Sequence, residues 1–140
     1  MIEYVKVIVS CPLFVMLPRV RTKNIKYSLN LNIYRNTYHQ TLNEAKVIFK
    51  KLLTPQIKAL PIFEIVSGRY ILYPPTKRLC DTDNITCVVN KFFQDALVEL
   101  KRLSSDDYTK WIDTSSTFGC IDKINPRCDI ILTGITKPLK

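Results

Sequence analysis

The sequence predicts one α+β domain, a small mixed β-sheet of about four strands with two main helices packed on it. Three observations carry this. β-branched runs occur near both ends and in the middle of the chain, two stretches place apolar residues at helical spacing, and 140 residues suffice for one core but not two. Apolar residues at 46% and charged residues at 24% match ordinary globular usage, which excludes wholesale disorder and low-complexity repeats. A single domain over residues 1–140 is expected.

The elements follow in order. Residues 3–9 are β-branched and read as a strand, broken at Ser10-Cys11-Pro12 before a second extended piece over 13–17. Residues 23–38 are polar, with asparagines interleaved with Tyr27, Tyr34 and Tyr38, and read as a long loop. Thr41 fits an N-cap with Glu44 as its capping-box partner. It heads a helix through Ala45, Val47, Ile48 and Leu52 that Pro55 should end, with Lys46 and Lys50 on its outer face. Residues 61–73 carry apolar runs around Ser67-Gly68, a strand with a bulge or tight bend, closed by Pro74-Pro75. A second helix is expected from about Asn84, as its cap, to about Leu103, on the stripe Cys87, Val88, Phe92, Ala96, Leu100 and Leu103. The tail has a turn region at Gly119 and a strand-like run over 129–133, and Trp111 reads as a core residue.

Several function classes drop out. The apolar run over 5–17 is interrupted by Lys6, Ser10 and Pro12 and falls short of a membrane span, and it lacks the basic start and small-residue cleavage site of a signal peptide. Five scattered cysteines without a C-x-x-C pair indicate neither a disulfide framework nor a zinc site, so a reducing, cytoplasmic setting is expected. One histidine, His39, leaves little for a Ser-His-Asp triad or a Cys/His metal site. Nothing in the chain calls for a small-molecule cofactor.

The charge is uneven. The net is +9 with a pI near 9.4, and nine basic residues lie between positions 19 and 58 against Glu44 alone. A basic face of this kind suits a polyanion, nucleic acid first. Acids bunch further on as Asp81, Asp83, Asp95, Asp106 and Asp107. Asp81 and Asp83 share a side of any extended segment, and Lys91 and Asp95 are neighbours four apart on a helix. Four carboxylates converge if the loop after the helix folds back. Crowded carboxylates need cations between them, and a hard divalent ion with oxygen ligands is the obvious occupant. The same spacing also suits a solvated acidic face.

Three segments in order, Cys80-Asp-Thr-Asp-Asn84, Asn90-Lys-Phe-Phe-Gln-Asp-Ala-Leu97 and Ser105-Asp-Asp107, resemble the signature of RusA-type Holliday junction resolvases. That family carries D-x-D-N, a helix with a lysine four residues before D-A-L, and a paired acid after the helix. Upstream, Tyr27-Ser-Leu-Asn-Leu-Asn-Ile-Tyr-Arg-Asn36 and Thr41-Leu-Asn-Glu-Ala-Lys46 are similar to the asparagine-rich loop and first helix of phage-type members. Residues 27–107 are covered.

The resemblance implies a RusA-like fold, a homodimer, and Mg²⁺-dependent cleavage of branched DNA, with Mn²⁺ as a substitute metal. It implies Asp81, Asp83 and Asp107 as the principal metal-binding carboxylates, with Asp95 close by and Asp106 as the alternative to Asp107. Lys91 takes the place of the catalytic lysine. The four residues added between Asn84 and Lys91, relative to the best-known members, turn a helix by about 400°, so Lys91 and Asp95 keep nearly the same face. Asn30, Asn32, Arg35 and Asn36 in the loop, with Lys77 and Arg78 before Asp81, are the expected DNA contacts, holding phosphates without reading sequence. Two symmetric nicks call for two sites and hence a twofold pair of chains. The alternative is a non-catalytic basic module that holds branched or single-stranded nucleic acid and whose acids are structural.

Overall fold

A computed structural model describes residues 4–78 and 81–136. Cys80, the first residue of the acidic motif, and Glu3, where the first strand was expected to begin, lie outside them. The elements are β1 (Tyr4–Cys11), β2 (Phe14–Leu17), β3 (Ile25–Ser28), α1 (Leu31–Arg35), α2 (His39–Lys58), β4 (Phe63–Tyr73), α3 (Thr82–Glu99), β5 (Trp111–Phe118) and β6 (Arg127–Thr136). Four strands form a mixed sheet in the order β1-β6-β4-β5, and β2 pairs with β3 in a separate antiparallel hairpin. The expected class, an α+β domain with a four-stranded mixed sheet and two main helices, is what forms.

Strict alternation builds the sheet. In β6 Cys128, Ile130 and Leu132 are buried while Asp129, Ile131 and Thr133 are not, so one face meets the core. β4 runs antiparallel to β6 and parallel to β5, and the parallel pair requires a crossover, which α3 supplies. The expected irregularity at Ser67 is present as a register shift between Val66 and Ser67 against β5. On α2 the buried residues Ala45, Phe49, Leu53 and Ile57 recur every fourth position, and α3 buries Val88, Val89, Phe92, Phe93, Ala96 and Leu97. The two helices meet edge to face through Phe49 and Phe92, ring centroids 5.5 Å apart, and Phe93 reaches Trp111 of β5 at 6.5 Å. Trp111 is a core residue, as expected. No helix among the described residues is long and apolar enough to cross a membrane.

Four local expectations are corrected. Residues 23–38 are not one loop: they hold β3 and the five-residue α1, which Asn30 caps by accepting from the Ile33 amide at 2.9 Å. Thr41 is not the cap of α2, which starts at His39. Its intended partner Glu44 is held instead by the Arg19 guanidinium at 3.0 Å. Pro55 does not end α2: the last turn is kept by burial of Ile57 and by Arg102, whose guanidinium donates to the Ile57 and Lys58 carbonyls at 3.2 and 3.0 Å. Asp81, not Asn84, caps α3, which ends at Glu99 rather than Leu103 because Lys101 turns left-handed at φ 60°. That turn drops Leu103 into the core and lets the Phe63 amide donate to the Arg102 carbonyl at 2.8 Å.

Two substitutions should shift stability in opposite directions. A Cβ on Gly134 would lie 2.5 Å from the Ile65 carbonyl oxygen, so Gly134→Ala should destabilise by about 1–3 kcal/mol. At Lys101 glycine removes the left-handed penalty at some entropic cost, so Lys101→Gly should stabilise by about 0.5–1 kcal/mol. Urea titration with unchanged slope checks both.

Candidate nucleic-acid and metal site

The groups singled out in the sequence fall into two places along α3. Asp81 and Asp83 occupy its first turn: the Asp81 carboxylate accepts from the Asp83 amide at 3.1 Å, and both negative charges suit a helix N-terminus. Lys77 and Arg78 precede them on the surface and line, with Pro74, Thr82, Phe118 and Ile121, a cavity of about 370 Å³ at that end. Asp95 lies 12 positions beyond Asp83, about 18 Å along the axis at 1.5 Å per residue. The four carboxylates therefore do not converge, and among the described residues no three acidic, thiol or imidazole groups come together as a ligand set.

The second place is a polar cleft of about 400 Å³ lined by Tyr34, Lys46, Asn90, Lys91, Gln94, Asp95 and Asp106. Three helices and one loop build it. α1 lies against α3, which puts Tyr34 beneath the Lys91 ammonium, 5.7 Å from the ring centroid. α2 contributes Lys46, whose ammonium lies 3.0 Å from the Asp95 carboxylate, and one turn on Lys50 meets Glu99 at 2.5 Å. Lys46 and Lys50 were expected on an outer face. They instead bridge α2 to α3, because residues four apart on each helix present matching rows of opposite charge. Asn90 forms the floor: its side-chain oxygen accepts from the Tyr70 hydroxyl at 2.5 Å and from the Gln94 amide at 2.7 Å.

The loop after α3 does fold back, but it presents Asp106 to the cleft. The Asp107 carboxylate is tied into a turn of its own, accepting from the Ser105 hydroxyl at 2.6 Å, from the Thr109 amide at 2.9 Å and from the Thr109 hydroxyl. Those bonds, the Ser105 hydroxyl first, hold its carboxyl at a pKa of about 2. Lys91 is exposed, and among the described residues no carboxylate lies within ion-pair distance of it.

The asparagine-rich loop divides by role. Asn30 and Asn36 cap the two ends of α1, Asn36 donating its side-chain amide to the Asn32 carbonyl at 2.9 Å, while the Asn32 side chain and Arg35 stand exposed. At Cys87 burial raises the thiol pKa, Lys91 and Arg35 act to lower it and Asp83 to raise it. Burial outweighs them and leaves the thiol raised. Tyr27 is buried and Tyr38 exposed against His39, with ring centroids 4.7 Å apart.

The sequence did not place Lys46, Asn90 or Gln94 at a site, and offered Tyr34 only as one of three tyrosines able to stack on bases or to pack at the core edge. The signal for Lys46 was present in the paired i, i+4 spacings of Lys46 with Lys50 and Asp95 with Glu99. Asn90 carried none, since its partner Tyr70 is twenty residues away in sequence. The chain matches no protein-family model and no curated protein.

Oxygen donors of this kind fit a hard divalent cation only in part. Mg²⁺ is commonly held by one or two carboxylates with water and substrate phosphates completing its shell, and Asp95 with Asp106 meets that minimum. The fuller set of Asp81, Asp83, Asp95 and Asp107 does not.

The Asp107 turn has a measurable signature. Its pKa of about 2 lies below the ordinary 3.8, so its ionised form favours the fold, fully above about pH 4 and progressively lost as pH falls through about 2. In Ser105→Ala the carboxyl should titrate closer to 3.8, which ¹³C carboxyl NMR would follow directly.

Proposed function

We propose that the protein is a Mg²⁺-dependent, structure-specific endonuclease that resolves four-way DNA junctions, with the cleft over α3 as its reaction site. The observation that carries this reading is the assembly in one polar cleft of Lys91, Asp95 and Asp106, drawn from two of the three segments that resemble the RusA-type signature. Mg²⁺ or Mn²⁺, held by Asp95 and Asp106, would supply an activated water and charge stabilisation at the scissile phosphate. Lys91 neutralises charge developing on the phosphate oxygens. Lys46, beside Asp95, adds a second positive group within the same cleft. Tyr34 presents a ring on which an unpaired base at a branch point can stack.

Affinity comes from the basic surface around the cleft. Arg35 and Asn32 stand exposed on α1, the helix that supplies Tyr34 to the cleft, and Lys77 with Arg78 lines the cavity at the N-terminal end of α3, beside Asp81 and Asp83. A duplex arm lying along α3 would meet both groups, and such contacts weaken steeply with salt. Asn30 and Asn36 act through the shape of α1 rather than by touching DNA. Paired, symmetric incision requires two copies, hence a homodimer working on DNA in the cytoplasm, or in a host's cytoplasm for a phage protein.

One observation favours the second reading, a branched-DNA binding module that does not cut. Asp95 already has a cationic partner in Lys46, and Asp81 and Asp107 serve as a helix cap and a turn, which are structural tasks for acids.

Incubation with an end-labelled four-way junction and a matched linear duplex, in Mg²⁺ or EDTA, separates the two. Symmetric paired nicks in the junction alone are expected, abolished by EDTA and reduced about a hundredfold or more in Asp95→Asn and in Lys91→Ala. Tight junction binding with no product in Mg²⁺ or Mn²⁺ establishes the binding module. Equal loss in Asp107→Asn and Asp106→Asn would move the metal site to the fuller carboxylate set.

A further inference from the structure

Arg78 lines a second cavity besides the one at the N-terminal end of α3. This one holds about 380 Å³, within the roughly 300–1,000 Å³ of small-ligand sites. Segments distant in sequence build it. The β2–β3 hairpin supplies Leu13, Phe14 and Lys26, because alternation turns Val15 and Tyr27 into the core and leaves Phe14, Met16 and Lys26 on the outer side. The loop after β4 brings Pro75, the first turn of α3 brings Ile85, and Pro126 comes from just before β6. The walls are mostly apolar.

The charges in it are of one sign. Lys26 and Arg78 line the cavity and, among the described residues, no carboxylate does, nor has either cation an ion-pair partner. The Lys26 ammonium is positioned rather than loose: it sits 4.4 Å from the centroid of the Phe14 ring, which holds a positive charge against an apolar wall. Ser28 adds a hydroxyl, and Asn30 forms part of the wall with its side-chain oxygen taken by the α1 cap. Such walls select an anion with a flat apolar body. The body displaces water from Phe14, Pro75 and Ile85, and a phosphate meets the two cations. A bare phosphate would leave the walls wet, and an aliphatic carboxylate brings a weaker match to two cations and no partner for Ser28. The cavity also lies close to the cleft. Asn30, the N-cap of α1, lines the one and Tyr34 lines the other, four residues or about 6 Å apart along the helix.

We propose that this cavity holds one unpaired nucleotide, its base against Phe14, Pro75 and Ile85 and its phosphate between Lys26 and Arg78. Two sources share that chemistry, a free nucleotide and a nucleotide turned out of a DNA strand. The short distance to the cleft favours the second, because a strand held at Lys91 passes within reach of the cavity. An unpaired nucleotide is what a branch point exposes and a paired duplex withholds, since turning a base out costs least where it is already unpaired. The cavity thus separates branched from linear DNA without reading sequence. This inference rests on the nucleic-acid reading that the nuclease and the binding module share, and not on cleavage.

Fluorescence anisotropy of the full chain in EDTA tests it, with three labelled DNAs: a fully paired duplex, the same duplex with one bulged nucleotide, and the same with the bulged nucleotide abasic. The bulged duplex should bind about tenfold tighter than the paired one, and the abasic bulge should lose that gain. Phe14→Ala and Lys26→Ala should each abolish the gain. Lys23→Ala, which removes an exposed charge outside the cavity, should lower affinity for all three duplexes alike. Circular dichroism melting verifies that each variant is folded. A gain that persists with the abasic bulge or in Phe14→Ala would overturn the proposal, as would equal affinity of the wild type for all three DNAs. Free dTMP that removes the gain at concentrations comparable to the strand's own supports the cavity with a free nucleotide as its ligand, and dTMP without effect supports the strand. Duplex binding with no bulge preference removes this pocket alone, and a bulge preference in a protein that never cuts removes only the nuclease.

Discussion

The positions of Lys91 and Asp95 depend on how α3 is rotated against the sheet, and the hydrogen bond from Tyr70 to Asn90, with that between Thr86 and Ser116, holds that rotation. Tyr70 is fully buried, and burial pushes its phenol well above its ordinary pKa, so it stays a hydroxyl donor and needs an acceptor. Asn90, at the boundary between core and cleft, accepts it at 2.5 Å. Leaving that hydroxyl unpaired would cost about 1–3 kcal/mol. With Asn90 turned to the sheet, the next residue comes about 100° round the helix, which carries Lys91 outward, and Asp95 follows one turn later on the cleft side. The apolar stripe from Val88 to Leu97 fills the core, but apolar packing alone tolerates small rotations. Directional bonds along it, Tyr70–Asn90 and Thr86–Ser116, do not.

Much of this fold was readable because it follows local rules. The β-branched runs of β1 and β6, the bulge or bend at Ser67 and the apolar spacing of the two long helices are set by residues near one another in sequence. What was misread depends on distant partners. Thr41 and Glu44 have the form of a capping box, yet Arg19 takes the carboxylate and the helix starts three residues earlier, with Tyr38 at the cap position. Pro55 would end an isolated helix, yet Arg102, from beyond α3, satisfies carbonyls that the last turn leaves open. β3 and α1 are four and five residues long, too short to give a period, and only the Asn30 cap marked the second.

The site was legible in its members and not in its grouping. Lys91 and Asp95 are neighbours by helical spacing alone, and the structure brings them into one cleft with a residue of the acidic pair, Asp106. Asp81 and Asp83 could not be placed from their two-residue spacing, because it treats the segment as extended. The chain instead enters α3 at Thr82, and the pair becomes cap and first turn. Which of the two adjacent acids enters the cleft is settled by Ser105 and Thr109. Small hydroxyl residues two positions either side of Asp107 give its carboxylate local donors, and this leaves Asp106 to turn outward.

The two readings of the protein then differ in what holds Asp95. Its pair with Lys46 is half exposed at 3.0 Å, and ion pairs of that exposure contribute about 0–1 kcal/mol, so little opposes an exchange of partners. Asp107 is different: three hydrogen bonds would have to break before it could ligate anything, and its depressed pKa reports how well they satisfy the ionised form. On the nuclease reading, Asp95 and Asp106 would together hold a divalent ion, and Asp106 has no competing turn to leave. The displaced Lys46 ammonium would remain in the cleft beside the unpaired Lys91, where the phosphate brings new negative charge. In that sense the Lys46–Asp95 pair is compatible with the nuclease reading as a resting state: it holds a carboxylate in place without binding it strongly enough to exclude a metal.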